Sequence, residues 1–343
     1  MDQVDGPTSA EAYNVAWITA LFHERAAGKA MFDEEYKDSP PGFSKNPSDP
    51  NAYSWGRMGK HHVVLSSLPE GEYGTNATAT IAQGLRSSLP HIRIGLLVGI
   101  GAGVPGERMN KGNCSISQPD IRLGDVVVSR PDGTSGGIIQ VDLVKATSSS
   151  GGEVLQRKGF LNSPPMALRT ALAKIRSDHE IEDSQIQALL SQAFKRRPKL
   201  KANFSHPGLR EPKKDRAVDE YLAKDGTNIF REARDPEVHY GIIASSNTLV
   251  KSSRQRDDVL ARLHNENITP MCFEMEAAGL MNSFPCIVIR GICDYADENK
   301  NDLWQKYAAV TAAAYAKEYL QYVDREEVRE GPAISELLMG QSQ

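Results

Sequence analysis

Residues 272–297, CFEMEAAGLMNSFPCIVIRGICDYAD, constrain this chain more than any other stretch. Glu274, Met275 and Glu276 open a short helix-like run of small and apolar residues, and a turn at residues 283–285 ends it. Residues 286–289 are then apolar and β-branched, the composition of a buried strand. The strand runs into Arg290-Gly291-Ile292-Cys293-Asp294, so an acid stands at its carboxyl end. Sheets of open α/β type bind ligands at that end. A helix packed beside the strand brings the two acidic centres together.

The chain has 343 residues, enough for one large domain or two modest ones. Its 40% hydrophobic and 24% charged residues fit a globular protein in water. A net charge of −4 offers no broad attraction for nucleic acid. No apolar run nears the roughly 18–20 residues of a membrane span. The opening MDQVDGPTSAEAY is polar and acidic, unlike a signal peptide. Cys114, Cys272, Cys286 and Cys293 match no zinc spacing. The expectation is reduced, buried thiols in a cytoplasmic protein with neither metal nor cofactor.

Taken in order, residues 1–12 read as a disordered leader, 13–21 as a first buried strand and 22–36 as a helix. Glu24 falls at the strand–helix junction. It is either a first-turn carboxylate favoured by the helix dipole or a group placed where sheet proteins put chemistry. Residues 61–66 read as a strand, and His61 and His62 lack a third ligand at metal spacing. A glycine-led helix is expected over 71–89. Residues 92–106, IRIGLLVGIGAGVPG, are an apolar strand running into Gly99-Ile100-Gly101-Ala102-Gly103. Such glycines let backbone N–H groups approach a ligand. The same spacing suits a glycine corner in a barrel, and the breaker Val104-Pro105-Gly106 weakens any dinucleotide fingerprint.

Further strands are expected in 121–130, 133–144 and 239–251, and helices in 165–177, 180–194, 257–267 and 302–325. Residues 195–240 carry KRRPKLK and PKKDR with little apolar periodicity, and read as a surface insertion. Their cations form a solvated face or meet a substrate phosphate. Residues 323–343 read as a tail. Strands alternate with helices and nothing repeats, which predicts one α/β domain over 13–322 with a large mixed, twisted sheet.

FEMEAAG and IVIRGICDYAD, supported by VAWITALFHERAA, VGIGAGVP and LGDVVVS, resemble motifs of the purine nucleoside phosphorylase / methylthioadenosine nucleosidase superfamily, and within it the fungal purine nucleosidase-like branch. The resemblance covers 13–322 and implies a nucleoside phosphorylase-like fold, its mixed central β-sheet partly closed and flanked by helices. It implies that Glu276 accepts hydrogen bonds from the ribose hydroxyls and that Met275 packs on the sugar. Asp294 then meets the purine at N7 as general acid, with Ile292, Cys293 and Tyr295 supplying the burial a neutral acid needs. Glu24 holds the attacking water, Gly101 lies behind the sugar, and Leu249 and Val250 line the base pocket. The hydrolytic branch has an aromatic where Leu249 stands and a hydroxyl residue where Ile100 stands. A homodimer is also implied, with a neighbour's loop near the 5′ end of the sugar.

Phosphorolysis needs an anion pocket of arginines and backbone amides. Where phosphorylases of this type place arginines, the chain has Leu97 and the turn Ala20-Leu21-Phe22-His23-Glu24. A carboxylate there repels phosphate and suits water, and Arg25 points elsewhere on the helix. The expectation is a purine nucleosidase of purine salvage, turning adenosine, inosine or guanosine plus water into base and ribose. The alternatives are a phosphate-dependent phosphorylase, a non-catalytic nucleoside sensor, and an enzyme whose KRRPKLK or Lys213 and Lys214 clasp a 5′-phosphorylated substrate. Fungal domains of this kind are fused to ATPase and repeat regions. The chain ends soon after its last expected helix, which favours a stand-alone enzyme.

Overall fold

The computed structural model describes residues 6–106, 119–149, 152–210, 219–222, 228–231, 234–300 and 302–340. Cys114, Lys213 and Lys214 lie outside them. Strand β1 (Val15–Thr19) is buried along its whole length, as a strand covered on both faces must be. Helix α1 (Phe22–Ala30) follows at once. It stops well short of residue 36, because β2 (Glu34–Tyr36) instead pairs antiparallel with β3 (Ser54–Met58). β3 turns through Gly59 into β4 (His61–Ser67). Helix α2 (Thr75–Ser88) leads to the long β5 (Ile94–Gly103), followed by β6 (Val126–Ser129) and β7 (Ile138–Gln140). β8 (Val144–Ser149) and β9 (Gly152–Arg157) make a separate hairpin.

Four helices come next: α3 (Met166–Asp178), α4 (Ile186–Arg196), α5 (Pro198–Phe204) and α6 (Pro207–Arg210). A second hairpin joins β10 (Asp219–Leu222) to β11 (Asn228–Arg231). The sheet is completed by β12 (Val238–Ser245), α7 (Ser253–His264), β13 (Pro270–Glu274), α8 (Ala277–Leu280) and β14 (Cys286–Asp294). Helix α9 (Gln305–Tyr322) then covers β14 and β5. Residues read as a tail carry α10 (Arg325–Glu330) and α11 (Ile334–Gly340). Val328 and Ile334 are buried there, and the Ile334 N–H donates to the Ile92 carbonyl.

The main sheet runs β13-β12-β6-β14-β5-β1-β4-β3-β2, with β7 beside β12. β14, β5, β1 and β4 are mutually parallel, whereas β6 lies antiparallel to β14. β13 also bonds antiparallel to β5, Cys272 facing Gly103 and Phe273 facing Ala102. That crossing closes one end of the sheet on itself, so the mixed, partly closed sheet expected from the resemblance is the one observed. The alanine-rich α9 is buried almost throughout. It lies so close that a Cβ on Gly291 would strike the Ala308 carbonyl oxygen.

The start of the expected insertion is integrated rather than free. α5 buries Leu200 and Phe204 against α4 and α9. Arg196 donates to the Phe32 carbonyl, and Arg197 donates to that of Lys29 and pairs with Glu35 at 3.5 Å. These cations sit beyond the C-terminal end of α1, the end opposite Glu24, which goes against their clasping a substrate phosphate. Among the described residues no helix is long and apolar enough to cross a membrane.

Candidate functional site

The site is assembled where the parallel strands end. β1 passes directly into the first turn of α1, which leaves Glu24 only 3% exposed. Its Oε2 accepts the N–H groups of Ala20 (2.8 Å) and Leu21 (2.9 Å), which the helix start leaves without intrahelical partners. Its Oε1 accepts the N–H of Ile100 at 2.8 Å. One carboxylate thus ties α1 to the glycine segment of β5. Three of its roughly four lone-pair positions are used.

The glycines prove to be strand, not loop: β5 continues unbroken through Gly103. Their smallness serves side chains arriving from neighbours. A Cβ on Gly99 would lie 2.5 Å from both Glu24 Oε1 and Arg290 Nη1. One on Gly101 would meet the Phe273 carbonyl oxygen at 3.0 Å and Arg290 Cβ at 3.2 Å.

Arg290, opposite Gly99 across the β14–β5 ladder, is fully buried. A charge in the middle of an apolar strand must be paired. Its Nη2 makes a short ion pair with Glu274 and another with Glu276 at 3.2 Å. Glu274 also accepts the N–H groups of Glu276 (3.1 Å) and Ala277 (3.0 Å), fixing the start of α8. Glu276 Oε1 accepts the Gly74 N–H at 3.4 Å, which joins the loop before α2 to the cluster. Gly74 has φ +91°, and a Cβ there would strike Asn247 Oδ1, so glycine is required on both counts.

One guanidinium therefore faces three carboxylates, those of Glu24, Glu274 and Glu276. Burial, aided by repulsion from Glu274 and Glu24, pushes the Glu276 carboxyl up to about 7 against the pull of Arg290. Burial works against the Arg290 charge, but the carboxylates outweigh it and hold the guanidinium above its ordinary range.

Asp294 comes four residues after Arg290. At about 3.3 Å per residue this is about 13 Å along β14, shortened by a bulge between Ile292 and Asp294. Its Oδ1 accepts the Ala296 N–H at 2.9 Å. Its Oδ2 meets Cys293 Sγ at 3.0 Å and Lys300 Nζ at 3.1 Å. Ala296 sits at φ +54°, a left-handed conformation unusual for alanine, which bends the chain back over the aspartate. Val250 packs with Ala102, Phe273 and Ala296 in one apolar cluster on this side. Leu249 is 44% exposed on the loop after β12. Asn247 anchors that loop by accepting the Thr75 N–H at 3.2 Å.

The structure thus gathers Glu24, Glu276 and Gly101 around Arg290, and Met275, between Glu274 and Glu276 in the chain, is half-buried. Asp294 lies four residues further along β14, and Val250 packs on the apolar cluster beside it. Leu249 remains at the exposed edge. Among the described residues no group of three or more His, Cys, Asp and Glu side chains is arranged to hold a metal.

The same architecture is found in solved structures. The 5′-methylthioadenosine/S-adenosylhomocysteine nucleosidase from Neisseria meningitidis, in complex with methylthio-immucillin-A, superposes with a TM-score of 0.52. It is 17% identical, and the match covers 90% of this chain and 98% of that one. Futalosine hydrolase from Helicobacter pylori gives 0.53 at 13% identity, over 91% and 99% of the two chains. The fold is that of the methylthioadenosine nucleosidases. It is therefore also the fold of the wider nucleoside phosphorylase superfamily that the motifs resemble.

Among curated relatives, a nucleotide-binding leucine-rich repeat (NLR)-like protein from Hyaloscypha variabilis is 39% identical over 321 residues, 90% of this chain. ATP nucleosidase Cap17 from Escherichia coli is 32% identical over 93 residues, 25% of this chain. The chain spans only 29% of the first relative and 18% of the second. No protein-family model matches the sequence.

Sequence reasoning passed over Arg290, Glu274 and Lys300. Arg290 had a usable signal, a cation inside IVIRGI, which a buried strand tolerates only with a partner. Lys300 had none, because DENKND reads as an ordinary polar turn.

Proposed function

We propose that this domain hydrolyses the N-glycosidic bond of purine ribonucleosides, releasing the free base and ribose. The observation that carries the reading is the environment of Glu24. Backbone amides that could cradle a phosphate are already satisfied by the chain's own carboxylate. Arg25, the nearest cation along α1, is turned away onto Ala52, Ser54 and Ser67. The anion site of a phosphorylase is thus filled from within, and one lone-pair position of Glu24 remains for water.

In this reading water adds to C1′ of the ribose as the C1′–N9 bond breaks. Glu24 orients the water and accepts its proton. Glu276 grips the ribose hydroxyls and offsets the positive charge that develops on the sugar ring. Asp294 delivers a proton to N7, so the purine leaves neutral. An acid and a base thus act on opposite sides of the bond, as in glycosidases. Val250 and its apolar neighbours receive the base.

The name of the Escherichia coli relative favours a second reading of the same chemistry, with a 5′-phosphorylated purine nucleotide as substrate. The name of the fungal relative motivates a third, in which the domain binds a nucleoside without turning it over. One panel separates all of these. Free base released from adenosine, inosine, guanosine, AMP and ATP is measured with and without phosphate. Release without phosphate is expected. Strict dependence on phosphate rejects hydrolysis, preference for AMP or ATP selects the second reading, and binding without release selects the third.

A further inference from the structure

The proposed general acid, Asp294, is almost sealed from solvent: its side chain is 3% exposed, whereas that of Lys300 is 17% exposed. A sealed acid that fires once per turnover must be recharged. Its Oδ1 is tied to the Ala296 N–H, so Oδ2 is the atom that meets other proton carriers. Among the described residues two groups contact it, the Cys293 thiol and the Lys300 ammonium. Resting on the nucleosidase reading above, we propose that Lys300 supplies the proton that Asp294 delivers to the leaving purine, so that the two side chains act as one donor holding one proton.

The balance is simple. As the base departs, an Nζ–H bond of Lys300 breaks and an Oδ2–H bond of Asp294 forms. The Asp294 proton passes to N7 as the C1′–N9 electron pair moves onto the purine. Lys300 is left neutral and takes a proton from water at its exposed end. An adjacent ammonium and carboxylate hold the same number of protons as a neutral amine and acid. Exclusion of water by a bound purine favours the neutral arrangement, because burying two charges costs more than burying two dipoles.

The groups facing the pair are consistent with this. Burial and then the Asp294 charge hold the Cys293 thiol well above its ordinary value, so it keeps its proton. Burial works against the Lys300 charge, but the carboxylate of Asp294, with help from Asp302, holds the ammonium above its ordinary range. Glu24, reaching over from α1, acts on Cys293 in the same direction as Asp294. Lys300 therefore stores a proton throughout the neutral and mildly alkaline range.

The test is the pH profile of kcat for base release by the whole chain and by Lys300→Arg and Lys300→Gln, with melting temperatures alongside. Arginine preserves the charge beside Asp294 but does not surrender a proton in this range. The wild type is expected to hold its rate to alkaline pH. Both variants are expected to fall about 100-fold at pH 8.5 and to lose less at acid pH, where solvent supplies protons more readily; the factor follows the usual size of general acid catalysis. A Lys300→Arg enzyme with the wild-type profile overturns the proposal, since charge alone would then suffice. A wild type that releases no base from any nucleoside or nucleotide overturns the functional reading itself, and the proton path with it.

Discussion

Replacing Glu276 by glutamine separates what this residue contributes to stability from what it contributes to the site. Its carboxyl is pushed from 4.5 up to about 7 by burial and by the neighbouring glutamates. Between those values the folded chain holds a proton that the unfolded chain has lost, so stability falls as pH rises through the window and is level below it. Above pH 7 the accumulated cost is about 3 kcal/mol, from 1.36 kcal/mol per pH unit. Glu276→Gln has no carboxyl to ionise and escapes it. Against that gain, the amide accepts weaker bonds from Arg290 and Gly74, a loss of about 1–2 kcal/mol. At pH 8 the variant is expected to be the more stable by about 1–2 kcal/mol, and near pH 4.5 the order reverses. Urea unfolding at a series of pH values, followed by the fluorescence of the buried Trp17, measures both. The same variant is expected to lose kcat/KM by at least about 100-fold, having given up the charge that stabilises the sugar cation. A wild type whose stability relative to the variant stays flat or rises between pH 5 and 7.5 refutes the reasoning. Glu276 would then be ionised and fully compensated by Arg290 in the folded chain.

Glu24→Gln offers one amide oxygen where three backbone N–H groups now bond, and turns an NH2 toward donors. It is expected to lose about 2–3 kcal/mol of stability and at least about 100-fold in kcat, read by thermal melting and base release. Wild-type turnover would remove Glu24 from the mechanism. Gly99→Ala places a methyl 2.5 Å from Glu24 Oε1 and Arg290 Nη1. Overpacking of this kind typically costs about 1–3 kcal/mol. A sharp fall in turnover is expected, because the two side chains must part. An unchanged rate in the same assay would mean that their spacing does not matter to the chemistry.

Several members of the candidate site attract notice from residue order alone. Glu276 and Asp294 stand out because they interrupt apolar runs at the ends of elements, and Gly99–Gly103 because glycines in a strand demand a reason. What remained hidden depends on neighbours distant in sequence. That Glu24 bonds to Ile100 follows only once β1 and β5 are known to be adjacent. Arg290 finds Glu274 because β13 folds across β5, a crossing that no local periodicity encodes. The overlong first helix has a local cause. Residues 31–36 keep helical composition, and only pairing with β3 makes Glu34–Tyr36 a strand. The helices after residue 323 were missed because α10 and α11 are only six and seven residues long, too short to set up a periodic pattern. α11 is held by Ile334 bonding to Ile92 just before β5, and α10 by burial of Val328 in the core, rather than by a long amphipathic pattern.

Glu24, Gly74, Ile100, Glu274, Glu276 and Arg290 come from five separate parts of the polypeptide, and each contact among them spans a different closure of the chain. Such a cluster has no partial form. A fragment ending before β14 lacks the cation, and one beginning after α1 lacks the carboxylate that occupies the amides. Assembly of this cluster and completion of the native topology are therefore a single event, and a fragment of the chain cannot hold part of it.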